Sequence, residues 1–145
     1  MSSKIINNRP LKDIFKELGE LLFWKIKKFK EGQLANEHYK FHYTEGFNLS
    51  TSDYINKKIL DIGCGPRGPL EWAHMTAERV AIDPLIDRYK KLGIASHKTT
   101  YIKAYAENLP FEDNYFDQVS SFNNLDHVNS LEKTVSEIKR VLKPG

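Results

Sequence analysis

The spacing of apolar residues divides the chain into two regions. In residues 1–57, apolar side chains recur every three or four positions, which predicts one amphipathic helix between Pro10 and Gly32. From residue 58 onward, short apolar runs alternate with amphipathic stretches, a pattern typical of α/β domains. We therefore predict an N-terminal helical segment, residues 1–57, followed by an α/β domain, residues 58–145.

Apolar runs and amphipathic stretches give the order of elements in the second region. We predict strands at 57–63, 79–83, 99–105 and 116–122, and helices at 66–77, 85–92 and 130–142. No hairpin signal joins these strands, so we expect a parallel sheet with right-handed crossovers. Ligands of such sheets bind at the carboxyl ends of the strands.

The segment "ILDIGCGPRGPLEWA" has the glycine spacing of a dinucleotide-binding turn, Gly63-x-Gly65-x-x-Gly68. Asp83 follows Gly63 by 20 residues, the offset at which a carboxylate binds the ribose of a nucleoside ligand. Asp61, however, comes just before the turn, where it would repel a pyrophosphate by about 1 kcal/mol or more. It would attract the sulfonium and ammonium groups of S-adenosylmethionine. We therefore predict that cofactor.

Purely structural roles are also open for these residues. The glycines suit any tight turn between a strand and a helix, and Asp83 can cap the helix that follows its strand. For Asp126, a helix cap is the preferred interpretation.

Composition limits the possible partners and the compartment. The chain has 22 basic and 19 acidic residues, interleaved, with a net charge of +3, so no nucleic-acid partner is predicted. Apolar runs are too short for stable membrane insertion, and the N-terminus lacks the apolar run of a secretory signal. Together with the single cysteine, Cys64, these features predict a cytoplasmic protein.

The N-terminal region offers two further patterns. Four lysines within residues 25–30 lie beside Phe23 and Trp24, as in helices that bind membrane surfaces. We favour a helix that packs on the domain and keeps its lysines in water. His38 and His42 would share a helix face as metal ligands do, but no third ligand has suitable spacing, so no metal site is predicted.

Motifs in the second region, taken in order, resemble class I S-adenosylmethionine-dependent methyltransferases with methyltransferase type 11-like motifs. The matching segments are "ILDIGCGPRGPL", "VAIDPLIDRY", "AENLPFEDNYFDQV", "NNLDHV" and "EIKRVLKPG". The resemblance implies a Rossmann-like parallel sheet with helices on both faces and S-adenosyl-L-methionine as methyl donor. It also implies a small-molecule acceptor, which would be a metabolite, a lipid or a sugar.

The resemblance assigns roles to residues by position. Asp61, Gly63 and Gly65 would lie against the methionine part of the cofactor. Asp83 would accept hydrogen bonds from both ribose hydroxyls.

Three further positions take roles from the same resemblance. Ala106 and Glu107 would lie beside the adenine, and Asn123 would offer its backbone carbonyl to the methionine ammonium. Many relatives have an acid before the Ala-Glu pair, where this chain has Tyr105, so Glu107 or Asn108 is an alternative adenine contact.

His127 is the candidate general base, because it would lie beyond the fourth strand and its ordinary pKa suits proton transfer. A surface or capping histidine is the equally weighted alternative. Four aromatic residues precede the domain: Tyr39, Phe41, Tyr43 and Phe47. Similar methyltransferases fold such segments over the cofactor as a lid.

The matching ends at "RVLKPG", whereas relatives continue with a fifth strand, a helix and a hairpin. We therefore expect the C-terminal strands of the usual seven-stranded sheet to be absent and the fourth strand to be an edge. A partner chain or a further C-terminal segment would then complete the acceptor pocket. The alternatives to a methyltransferase are a noncatalytic cofactor-binding or scaffold subunit and an NAD-dependent oxidoreductase, which Asp61 opposes.

Overall fold

Four parallel strands form one sheet in the computed structural model, which describes residues 10–122 and 124–145. The strands are β1 (Lys58–Ile62), β2 (Glu78–Ile82), β3 (Thr100–Ile102) and β4 (Gln118–Ser120). Their order is β3-β2-β1-β4. The chain therefore places β2 and β3 on one side of β1 and then returns to place β4 on the other side. The four predicted strands and their parallel pairing are confirmed, and β4 lies at one edge.

The helices among the described residues differ in length. They are α1 (Leu11–Glu31), α2 (Tyr39–Tyr43), α3 (Ile86–Tyr89) and α4 (Leu131–Val141). Short 3₁₀ turns occur at Glu45–Phe47, Thr51–Tyr54, Lys90–Leu92 and Ile94–Ser96. The helix predicted at 85–92 is therefore α3 extended by a 3₁₀ turn, and α4 corresponds to the helix predicted at 130–142.

The two faces of the sheet pack against different parts of the chain, because successive side chains of a strand point to opposite faces. Leu60 and Ile82 lie in the core cluster that contains Val141 of α4. Ala81 lies in the cluster with Leu21 of α1 and with α3. Helices thus cover both faces, as the resemblance implied.

The helix predicted at 66–77 is wrong, because that crossover consists of turns. Gly68 has a φ of 77°, a left-handed conformation that a helix cannot contain, and Pro69 has no N–H to donate. The side chain of Arg79 donates to the carbonyl oxygen of Glu71 at 2.7 Å. A side chain therefore satisfies backbone acceptors that a helix would have paired internally.

The expected packing of α1 is only partly correct. Leu21 is buried and Trp24 packs partly against the same cluster, so α1 does contact the domain. Most of the apolar residues that define its periodicity, including Phe15, Leu18 and Leu22, are exposed. The side of α1 that touches the domain is therefore not its most apolar side.

Candidate functional site

The glycine turn follows β1 and curls over the end of β2. The backbone N–H groups of Gly63 and Cys64 donate to the carbonyl oxygen of Ile82, at 2.8 and 3.2 Å. Gly63 has a φ of 74° and Gly65 a φ of 59°, in the left-handed region that favours glycine. The turn therefore brings backbone N–H groups to the carboxyl ends of the two central strands.

Asp83 lies just beyond β2 and is nearly buried. Its carboxylate accepts hydrogen bonds from the N–H of Gly65 at 3.3 Å and the N–H of Leu85 at 2.8 Å. Burial raises the pKa of Asp83 to about 6, although both hydrogen bonds favour the charged form. The side chain thus joins the glycine turn to the start of the next crossover.

Asp61, within β1, is 1% exposed. Its Oδ1 accepts hydrogen bonds from the hydroxyl of Tyr43 at 2.6 Å and the hydroxyl of Ser120 at 3.0 Å. Burial raises the pKa of Asp61 to about 7, the two hydrogen bonds oppose that rise, and the charge of Asp83 adds to it. A nearby cation would stabilise the charged form of this carboxylate.

Tyr43 keeps its proton in this arrangement. Burial and the charge of Asp61 raise the pKa of the phenol far above neutral pH, so the hydroxyl remains a donor. The hydroxyl of Tyr54 in turn donates to the backbone carbonyl of Tyr43. These contacts attach the N-terminal segment to the carboxylate of β1.

A cleft of about 760 Å³ opens above these groups. Its base contains all four residues expected at the methionine and ribose positions: Asp61, Gly63, Gly65 and Asp83. Its walls combine aromatic side chains with charged and polar ones. The aromatic residues are Phe23, Trp24, Tyr39, Tyr43, Tyr105 and Phe122, and the polar ones include Lys16, Glu20 and His38. The cleft therefore has an acidic base and walls that are partly aromatic and partly polar.

A cavity of about 90 Å³ adjoins the cleft and contains the positions expected beside the adenine. Ala106 is buried in its wall, and Glu107 also lines it. The carboxylate of Glu107 accepts from the N–H groups of Asn129 at 2.5 Å and Ser130 at 3.2 Å, so it also supports the start of α4. Asn123, the third of these positions, lies outside the described residues.

His127 lines both the cleft and the smaller cavity, and 54% of its side chain is exposed. Its Nε2 atom lies 3.6 Å from a carboxylate oxygen of Asp126. The position allows contact with a molecule in the cleft.

Ser120 and Asn124 contact site residues, and neither was given a role from the sequence. Ser120 is the register partner of Asp61 across β1 and β4, so correct strand pairing would have found it. Asn124 lies directly over Gly63: a Cβ atom placed on Gly63 would be 2.0 Å from its Cγ atom. That close approach leaves no room for a side chain at Gly63. The spacing of residues in the sequence gives no signal for a contact between Gly63 and Asn124.

Arg67, which follows the glycine turn, binds the N-terminal segment. Its guanidinium donates to both carboxylate oxygens of Glu31, at 2.9 and 2.8 Å, and to the carbonyl oxygen of Ala35 at 2.8 Å. It also lies 5.4 Å from the ring centroid of Trp24. Arg67 therefore connects the end of α1 to the turn at the base of the cleft.

Neither a metal site nor a membrane span is found within residues 10–122 and 124–145. No group of three or more His, Cys, Asp or Glu side chains in these ranges is arranged to hold a metal ion. No helix in the same ranges has both the length and the apolar content needed to cross a bilayer.

The fold and the site together define an α/β protein that can hold a nucleoside cofactor at the carboxyl edge of its sheet. The glycine turn lies at the carboxyl ends of β1 and β2, and the buried carboxylates of Asp61 and Asp83 lie beside it in a position that favours positive charge. Residues 60–145 match the sequence profile of the methyltransferase domain family. The chain therefore belongs to that family, whose methyl donor is S-adenosyl-L-methionine.

Individual relatives agree with this assignment. The chain is 34% identical over 131 residues to a sterol 24-C-methyltransferase of Candida albicans, a match that covers 85% of this chain and 33% of the relative. It is 39% identical over 83 residues to the ubiquinone/menaquinone biosynthesis C-methyltransferase UbiE of Stutzerimonas stutzeri, covering 56% of this chain and 30% of that protein. The chain thus spans about a third of the length of these curated relatives.

A solved structure supports the fold. An S-adenosylmethionine-dependent methyltransferase from Mesorhizobium loti superposes with a TM-score of 0.56 at 24% identity, covering 63% of this chain and 44% of that one. At this identity the likeness concerns the architecture of the sheet and its helices.

Proposed function

We propose that this chain binds S-adenosylmethionine in the cleft and takes part in methyl transfer to a small, lipid-like acceptor. The pair of buried carboxylates carries the proposal: Asp61 and Asp83 lie at the ends of adjacent strands, at the base of one cleft. Both side chains are buried, so a cationic ligand interacts with their charged forms more strongly than it would at an exposed site.

The residues present fit the cofactor. Asp83 has the position for accepting hydrogen bonds from the two ribose hydroxyls, and Asp61 attracts the positively charged methionine end. Gly63 and Gly65 keep the turn in the left-handed backbone conformation beside both carboxylates, and the Asn124 side chain packs against Gly63 where a Cβ would otherwise lie. Ala106 and Glu107 are assigned to the adenine, and the backbone carbonyl of Asn123 to the methionine ammonium.

The bound cofactor would supply an electrophilic methyl group on a sulfonium. The chain's own part is to hold the acceptor in line and to exclude water, and such positioning contributes roughly 7 to 11 kcal/mol in favourable cases. The aromatic walls formed by Tyr39, Tyr43 and Phe122 suit an apolar acceptor. The relatives named for sterols and quinones support a lipid-like acceptor rather than a sugar.

The N-terminal segment forms, in this proposal, a cap over the site, and residues 10–57 supply the contacts that support it. The contact between Tyr43 and Asp61 supports it, because a residue of the N-terminal segment reaches the base of the cleft. The contact of Arg67 with Glu31 supports it further by fixing α1 beside the glycine turn. Such a cap would exclude water from the cofactor.

Calorimetry with S-adenosylhomocysteine and with NAD tests the binding step. We expect S-adenosylhomocysteine to bind the chain and Asp83→Ala to abolish that binding. Asp87→Ala is the matched control, because Asp87 is exposed, pairs with Lys103 and does not line the cleft. Tighter binding of NAD than of S-adenosylhomocysteine would overturn the proposal.

Transfer of a radiolabelled methyl group into a lipid extract tests the chemistry. We expect labelled lipid, and we assign His127 as the base when an acceptor proton must be removed. His127→Gln should then lower kcat with little change in cofactor affinity. Cofactor binding without any transfer would instead indicate a noncatalytic subunit.

A further inference from the structure

Helix α1 carries an exposed apolar stripe that the proposed methyl transfer does not use. The stripe consists of Leu11, Phe15, Leu18, Leu22, Ile26 and Phe29, each between 47% and 91% exposed. At 3.6 residues per turn, these six positions lie within about 80° of the helix circumference. They therefore form a continuous apolar ridge along a 21-residue helix.

The opposite side of α1 faces the protein. Leu21 and Trp24 pack in the core cluster on the face of the sheet that contains Ala81. Glu20 accepts a hydrogen bond from the hydroxyl of Tyr89, and Glu31 binds Arg67. These contacts fix the rotation of the helix, so the exposed stripe is imposed by the fold.

Charge is segregated around the stripe. The helix contains six lysines and four acidic residues. From the helical periodicity, Lys12 and Lys30 border the stripe on one side and Lys25 borders it on the other. All four acidic residues, Asp13, Glu17, Glu20 and Glu31, lie on the side that faces the domain. Three of the six lysines thus border the apolar ridge, and none of the acidic residues of α1 does.

We propose that this stripe docks on an anionic membrane surface, with α1 lying in the plane of the interface. Helices that bind in this way place apolar side chains about 5–10 Å into the headgroup region and lysines against the anionic headgroups. A second copy of the stripe fits less well, because a symmetric contact would bring the bordering lysines of both copies together. The charge pattern therefore selects an anionic lipid surface as the occupant.

Docking would also place the cleft on the far side of α1 from the bilayer. Lys16, Glu20, Phe23 and Trp24 line the cleft, and helical periodicity puts them on the side of α1 away from the stripe. The helix would then lie between the membrane and the site. The inference does not rest on the proposed function, because vesicle binding needs neither the cofactor nor methyl transfer.

Cosedimentation with vesicles tests the proposal. We expect the chain to bind vesicles of phosphatidylcholine with phosphatidylserine and to bind phosphatidylcholine alone much more weakly. Leu18→Ser with Leu22→Ser should weaken binding more than about tenfold, since two large apolar side chains no longer enter the interface. Leu131→Ser with Val135→Ser is the matched control, an exposed pair at the same spacing on α4.

Variants of the lysines that border the stripe test whether binding requires positive charge. Lys12→Gln with Lys30→Gln should weaken binding by roughly fivefold for each lysine, and added salt should reduce the effect. Lys133→Gln with Lys139→Gln, on α4, should leave binding unchanged. Urea unfolding curves of all variants establish that each is folded.

Three results would overturn the proposal. They are equal binding to neutral and anionic vesicles, equal losses for the α1 and α4 variants, and no binding to either vesicle. Sedimentation velocity adds a fourth: self-association of the chain that Leu18→Ser with Leu22→Ser abolishes would assign the stripe to a second copy.

Discussion

Replacing Asp61 by asparagine should stabilise the cofactor-free chain at alkaline pH while it weakens the binding of the cofactor. Asparagine keeps an oxygen that can accept from the hydroxyls of Tyr43 and Ser120. It removes only the charge, which burial destabilises. The substitution therefore separates the cost of the buried carboxylate from its hydrogen bonds.

The size of the effect follows from the pKa of Asp61, which burial raises from its ordinary 3.8 to about 7. This carboxyl group holds its proton more tightly in the folded than in the unfolded chain, so its contribution to stability falls as the pH rises from about 4 to about 7. Above that window, the charged form costs about 4 kcal/mol. Between about pH 5 and pH 8, the cost grows by about 2.5 kcal/mol.

Urea unfolding at about pH 5 and about pH 8 measures this cost. We expect the free energy of unfolding of Asp61→Asn, relative to the native chain, to rise by about 2.5 kcal/mol between the two pH values. Asp117→Asn is the control, which should lower the free energy of unfolding by about the same amount at both pH values. Hydrogen bonds from the N–H of Lys58 and from Lys143 lower the pKa of Asp117, so its charge stabilises the fold. A pH-independent difference for Asp61→Asn would refute the reasoning.

The same carboxylate makes cofactor binding depend on pH. Only the charged form of Asp61 attracts the methionine end, so the affinity of the native chain should rise by roughly 10- to 100-fold in total as the pH approaches about 7. In Asp61→Asn, this dependence should be much weaker, and the affinity at about pH 8 should be lower by the same factor. Calorimetry at several pH values with S-adenosylmethionine, which carries both the sulfonium and the ammonium, measures both.

Two further substitutions test the surroundings of this carboxylate. Tyr43→Phe removes a hydrogen bond that lowers the pKa of Asp61. In calorimetry, the midpoint of pH-dependent cofactor binding should therefore move to higher pH. An unchanged midpoint would contradict the contact between Tyr43 and Asp61. Gly63→Ala should lower the free energy of unfolding by about 1–3 kcal/mol and abolish binding, because of the φ of 74° and the contact with Asn124. Gly19→Ala, where a Cβ meets open space within α1, should instead stabilise by about 0.5–1 kcal/mol in the same urea titration.

Local patterns were sufficient for the sheet and for the base of the site. Strands are indicated by runs in which apolar residues either alternate with polar ones or are continuous. Parallel strands bring their carboxyl ends to one edge of the sheet. Asp61, Gly63 and Asp83 could therefore be placed together before any contact was known. The helix predicted at 66–77 was wrong, which shows that apolar periodicity alone does not establish a helix. Gly68 and Pro69 favour turns there instead.

The sequence thus established the sheet, the glycine turn and the acidic base of the cleft, since each depends on residues that are close along the chain. The contact of Tyr43 with Asp61 joins positions 18 residues apart, and Arg67 reaches Glu31 across 36. Such contacts depend on how separate elements pack. For α1, periodicity identified the apolar side, but contacts with the sheet turned that side outward. Helical spacing describes one helix alone, whereas its rotation is set by the partners that it binds.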